Sequence, residues 1–219
     1  PGDENVYYYM GKLIAEGKVP YNDFFFAHPP LQIYLIAIVY KIFGFNIVAL
    51  KFVPLASTLL SAFFIFKIAK EKFGDNEAIL SSLLFLFSYS VMFNSVFSFG
   101  VDITALFLVV GTYFLLSKNN YYLSGLFFGL AGITRLLSLI PIFVIMLAAI
   151  FSNKKNFIKL LAAFSVVFLL ANVAFILYFG DNYLTPVYKY HLLKSFGGKE
   201  NITEYTGIIK LNWIIFSSA

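Results

Sequence analysis

Hydrophobic positions in this chain come in long blocks separated by short polar punctuation. Residues 3–16 break that pattern. Val6, Met10, Leu13 and Ile14 recur at helical spacing on one face, and Gly17 follows as a C-cap signal. The segment is too short and too polar to span a bilayer, so it predicts an amphipathic helix in the membrane interface. Tyr7, Tyr8, Tyr9 and Tyr21 suit the headgroup level. Asp23-Phe24-Phe25-Phe26 continues an interfacial loop, and Pro29-Pro30 bars a helix until about Leu31. Residues 31–43 are apolar, but at ~1.5 Å per residue they reach only about 20 Å against a ~30 Å hydrocarbon core. They predict a tilted, interfacial or re-entrant helix.

Residues 47–66 are the first full-length apolar block, and Lys67, Lys70 and Lys72 flank it. Further spans are predicted over 78–97, 103–117, 121–134, 136–151 and 157–179. A loop over 180–206 follows, and another span starts at 207. In this scheme Lys67, Lys70, Lys72, Lys118, Lys154, Lys155 and Lys159 fall on one side, which the positive-inside rule makes cytoplasmic. Asp3, Glu4, His28, Asp102, Arg135 and His191 fall on or near the other side, although they play no part in fixing the orientation. The expected fold is all-α, a polytopic transmembrane bundle of about six spans. Its parts are a first extracytoplasmic loop (1–30), the bundle (31–179), a second extracytoplasmic loop (180–206) and the start of a cut span (207–219).

Composition makes the membrane reading firm. Sixty per cent of the 219 residues are hydrophobic and 12% are charged, whereas soluble domains are about 25% charged. The mean hydropathy is +0.83. The net charge of +5 needs no nucleic acid, because cytoplasmic lysines account for it, and no nucleic-acid-binding pattern occurs. With no cysteine, disulfides and thiolate metal sites are excluded. The sequence has no initiator Met or signal peptide and stops in an apolar run, so it reads as an internal piece of a longer protein.

The chemistry-bearing residues are few. Asp3 suits a helix N-cap, and it also suits a general base that takes a proton from an attacking hydroxyl. Glu4 stands beside it. In His28-Pro29-Pro30-Leu31 the prolines fix the backbone that aims the histidine, either as a rigid turn or as a donor to a phosphate or sugar oxygen. Asp102 follows Gly100 at a helix start, where an acid is favoured as a cap. Arg135 sits at the tip of a hairpin whose arms are about 21 Å long. An arginine there costs roughly 2.5–3.5 kcal/mol unless it is paired or hydrated. It either snorkels to the interface or binds a lipid phosphate bidentately. Tyr188, His191 and Lys194, three apart, can share a helical face in a solvated loop or against an anionic headgroup.

One ordered series ties these positions together. Gly2-Asp3-Glu4, Gly17-Lys18-Val19-Pro20-Tyr21, Asp23-Phe24-Phe25, His28-Pro29-Pro30-Leu31 and Phe43-Gly44 resemble the first external loop of GT-C glycosyltransferases. The closest branch holds the protein O-mannosyltransferases and lipid A aminoarabinose transferases. The resemblance implies a sugar donor carried on polyprenyl phosphate and a protein, glycan or lipid acceptor at the extracytoplasmic face. It implies Asp3 as the catalytic acid residue with Glu4 its neighbour, and Asp102 facing them from the second external loop. It also implies a basic residue such as Arg135 at the leaving phosphate, with His28, His191 or Lys194 assisting. Two carboxylates in one cleft can hold a sugar hydroxyl, a base or a divalent cation such as Mg or Mn, and all three stay open. The competing readings are a transporter or lipid flippase and a non-catalytic membrane subunit. Transporters put ionisable groups near the midplane and show internal repeats, and neither is seen here.

Overall fold

The computed structural model describes residues 4–96, 100–152 and 154–190. They form an all-helical bundle: α1 (Glu4–Ala15), α2 (Leu31–Phe43), α3 (Ile47–Phe73), α4 (Asp75–Leu86), α5 (Tyr89–Asn94), α6 (Val101–Leu116), α7 (Tyr121–Thr134), α8 (Leu139–Ser152), α9 (Lys154–Phe179) and α10 (Asp181–Leu184). A 3-10 turn, Leu136–Ser138, joins α7 to α8, and a π-helical turn, Thr185–Lys189, follows α10. Among the described residues two helices are long and apolar enough to cross a membrane, Ile47–Phe73 and Lys155–Phe179. Shorter apolar helices stand beside them over Leu31–Phe43, Val101–Leu116, Tyr121–Thr134 and Leu136–Ile150, so of the six expected spans two are of full length and three are short. Large apolar side chains are exposed along both long helices, among them Phe52, Leu59, Leu170 and Leu177, as a lipid-facing surface requires.

Several expected boundaries change, and the last long block begins at Lys154 rather than 157. The block 47–66 runs on to Phe73, so Lys67, Lys70 and Lys72 lie within the helix rather than beyond it. The block 78–97 is not one span. It begins at Asp75, stops at Leu86, and restarts as α5 after Ser88, whose extended backbone (φ −66°, ψ 138°) breaks the helix. The loop expected from residue 180 is helical from Asp181 to Lys189. By contrast, α2 and α7 have the expected limits.

The bundle has two unlike ends. At the turn end, tight connections join α3 to α4 and α6 to α7, and an ion pair of 3.7 Å between Lys118 and Glu71 holds the C-termini of α3 and α6 side by side. There α7 lies against α9 through Gly125 and Gly129, a small-xxx-small pair of the kind that lets membrane helices approach closely. A side chain at Gly125 would strike the Leu160 carbonyl, and one at Gly129 would strike Val167. At the loop end, α1, the segment 16–30 and α10 pack over α2 and the end of α9. The core here is aromatic: Tyr7, Tyr8, Tyr21, Phe26, Tyr40 and Tyr183 gather around Ile33, Ile36 and Leu50. Tyr7, Tyr8 and Tyr21 are therefore core residues, while Tyr9 is exposed as an interfacial tyrosine would be.

Candidate active site at the loop end of the bundle

The site begins where α1 meets α3. Glu4, in the first turn of α1, is 4% exposed, although carboxylates are almost never buried unless paired. Its partner is Lys51 from the first turns of α3, whose Nζ lies 3.0 Å from Glu4 Oε1. The same Nζ donates to the Val96 carbonyl at 3.2 Å, so one lysine ties α1, α3 and the segment that leads to α6. Sequence reasoning passed over Lys51. The available signal was a cation near the start of an otherwise apolar helix, which is costly without a counter-charge.

Asp102 approaches from the other side. It stands in the first turn of α6, after Gly100, whose backbone is left-handed (φ 76°). Gly100 also presses on Gln32 of α2, so a side chain there would collide with the Gln32 amide. Glycine is thus required twice, for the turn and for the close approach. Asp102 is 4% exposed and lines a cavity of about 80 Å³ with Thr58, Ser61, Ser90 and Asn94. Burial disfavours its charge, while the amides at the start of α6 and the Arg135 guanidinium favour it.

Arg135 occupies the break between α7 and the 3-10 turn. Its backbone is extended (φ −149°, ψ 128°), and its N–H still closes α7 on the Ala131 carbonyl. Its carbonyl accepts from Ser138 Oγ at 2.8 Å. The hairpin tip therefore holds its arginine at a fixed break between helices. Tyr8 lies in the electrostatic reach of both carboxylates. Its phenol is pushed above its ordinary value by burial, then by the neighbouring Glu4 carboxylate and more weakly by Asp102. Its hydroxyl is buried, has no hydrogen-bond partner among the described residues and stays protonated.

His28 sits to one side of this cluster. Its Nε2 lies 3.2 Å from Tyr7 Oη, and its carbonyl accepts from Tyr21 Oη at 2.8 Å. The Pro29-Pro30 turn and two tyrosines thus fix the histidine. On the second loop segment, Tyr188 donates to Asn172 Oδ1 at 2.6 Å, and Lys189 pairs with Asp181 at 3.1 Å. Asp3, His191 and Lys194 lie outside the described residues. Of the sequence candidates, Glu4, Asp102 and Arg135 share one end and one electrostatic neighbourhood, and His28 reaches it through Tyr7 of α1. Among the described residues no three of His, Asp and Glu converge on one point.

Apolar helices with a buried cluster of acids and a cation at one end of the bundle define an integral membrane protein with a polar site. The particular family follows from comparison. Residues 27–179 match the dolichyl-phosphate-mannose-protein mannosyltransferase family, and the chain belongs to it. It is therefore a GT-C glycosyltransferase. The match starts after the Gly2-Asp3-Glu4 segment and takes in Asp102 and Arg135. No curated protein and no solved structure matches the chain.

Proposed function

We propose that the chain transfers a mannose-like sugar from a polyprenyl-phosphate donor to an acceptor hydroxyl at the extracytoplasmic membrane surface. Asp3 takes the proton of that hydroxyl. The hydroxyl oxygen then forms a bond to the anomeric carbon as the bond from that carbon to the phosphate oxygen breaks. The electron pair leaves with the phosphate, giving polyprenyl phosphate and an inverted glycoside. Arg135 stabilises the charge gathering on the leaving phosphate, a role suited to its planar, bidentate donors. Glu4 is held by Lys51 and serves to position Asp3, its neighbour in the chain. Asp102 orients the sugar hydroxyls, and His28 closes the side of the site. An acceptor that is already an anionic phosphate would need no base, and Asp3 would then orient it.

The observation that supports this reading is the joint burial of Glu4, Tyr8 and Asp102 at the loop end, where the charge of Arg135 favours the ionised form of Asp102. Arg135→Ala tests it. Transfer from dolichyl-phosphate mannose should fall by about 10²-fold or more, and Arg135→Lys should recover little, because an ammonium lacks the planar fork. Wild-type turnover in Arg135→Ala would remove the cation from the mechanism.

A further inference from the structure

A second concavity of about 400 Å³ opens between the first loop and α10, apart from the acid cluster. Its rim carries Asn22, Asp23, Phe25, Asp181, Asn182 and Thr185. We propose that this cleft is the acceptor subsite and that it binds a neutral, hydroxyl-rich glycan unit. The proposal rests on the glycosyltransferase reading above and names the acceptor class that reading leaves open.

Three observations support it. The cleft is built across 160 positions of sequence: Asn182 Nδ2 donates to Asn22 Oδ1 at 3.1 Å, which pins α10 to the first loop. Each carboxylate spends one oxygen on the fold. Asp23 Oδ2 accepts from the Val19 amide at 2.7 Å, and Asp181 Oδ1 faces Lys189 at 3.1 Å. The second oxygen of each is left to take hydrogen bonds from a ligand. The lining thus offers acceptors from two carboxylates, both functions from two amides, and a threonine hydroxyl, a set that suits vicinal hydroxyls. Phe25 is 56% exposed and packs edge-on to Tyr190 at 5.5 Å, which leaves an aromatic surface beside the polar groups for the apolar face of a sugar ring.

The cleft is also wired to the acid cluster. Tyr21 lines it, and Tyr21 Oη donates to the His28 carbonyl, while His28 contacts Tyr7 of α1. An acceptor held by one sugar unit in the cleft could extend a hydroxyl past His28 towards the start of α1. A peptide acceptor is the competing class, and two carboxylates would suit a basic one.

The test gives the intact protein, in lipid nanodiscs, dolichyl-phosphate mannose with either α-mannobiose or a lysine-containing Ser/Thr peptide as acceptor. The expected result is transfer to α-mannobiose. Asp181→Ala and Phe25→Ala should each lower the ratio of mannobiose to peptide kcat/KM by about tenfold, as loss of a charged hydrogen bond or a stacking face would do. A general folding defect would lower both acceptors together and leave that ratio unchanged, which would count against the cleft. Transfer to the peptide alone would overturn the glycan subsite and leave the glycosyltransferase reading standing. No transfer to either acceptor and no donor hydrolysis would overturn both.

Discussion

At the turn end, α7 and α9 meet through glycines, and the packing is backbone against backbone. At the loop end, the contacts are made by rings with hydroxyl tips. Tyr183 and Tyr188 both donate to Asn172 Oδ1 at 2.6 Å, Tyr21 donates to the His28 carbonyl, and Tyr7 meets the His28 ring. The turn end gains from dispersion between closely fitted helices, which is indifferent to polarity. The loop end gains from aromatic burial, but buried hydroxyls call for partners, which among the described residues Tyr21, Tyr183 and Tyr188 have and Tyr8 and Tyr40 lack. The second kind of core costs more to satisfy, and it is found where the acids and the arginine are. A polar core of this kind can hold charged side chains at the membrane boundary, which a dry glycine seam cannot do.

The contrast can be broken from either side. The largest effect is expected at the turn end. In Gly129→Leu the new side chain would have to displace Val167 and press on the backbone of α9, at a cost of about 3 kcal/mol or more. Denaturation in mixed micelles should show it as a global loss of stability. At the loop end, Asn172→Leu leaves the Tyr183 and Tyr188 phenols without their acceptor, at about 2 kcal/mol. Hydrogen exchange should then rise in α10 and the first loop while the α7–α9 seam keeps its protection. A global loss in both variants would show that the two ends are not separate.

The smallest effect sharpens the comparison through pH. Burial first, and then neighbouring acidic or phenolic groups, raises Tyr8, Tyr21 and Tyr183 above the ordinary tyrosine value of 10.0. The unfolded chain therefore ionises first. The stability from these buried phenols is fully present below pH 10 and is lost as pH rises beyond it towards the folded values. Phenolate absorbance should lag behind that of free tyrosine, and hydrogen exchange above pH 10 should loosen the loop end before the turn end. Ionisation of these tyrosines at the ordinary value without loosening would show that they are not buried as described.

Much of this was legible along the chain. The limits of α2 and α7 follow from the proline pair, from Gly44, and from the arginine that interrupts an apolar run. The two apolar blocks on either side of Arg135 placed it at a helix break. Other features left little trace. The break between α4 and α5 falls within residues 78–97, an apolar run with no proline or glycine, where the local signal is weak: Ser88 Oγ donates to the Phe85 carbonyl at 3.0 Å. The tyrosines of α1 read as interfacial because an amphipathic pattern does not reveal what covers the helix. Lys51 was hidden by its position, since a cation near a helix end resembles a membrane flank until Glu4 is found 3.0 Å away.

The central claim is that acids at the loop end and Arg135 serve one transfer reaction, with Asp3 as its base. Asp3→Asn in the intact protein, assayed with dolichyl-phosphate mannose, tests this most directly. Donor binding should persist while transfer falls by about 10²–10⁴-fold, as loss of a general base predicts. Unchanged turnover, or a loss confined to donor binding, would contradict the account.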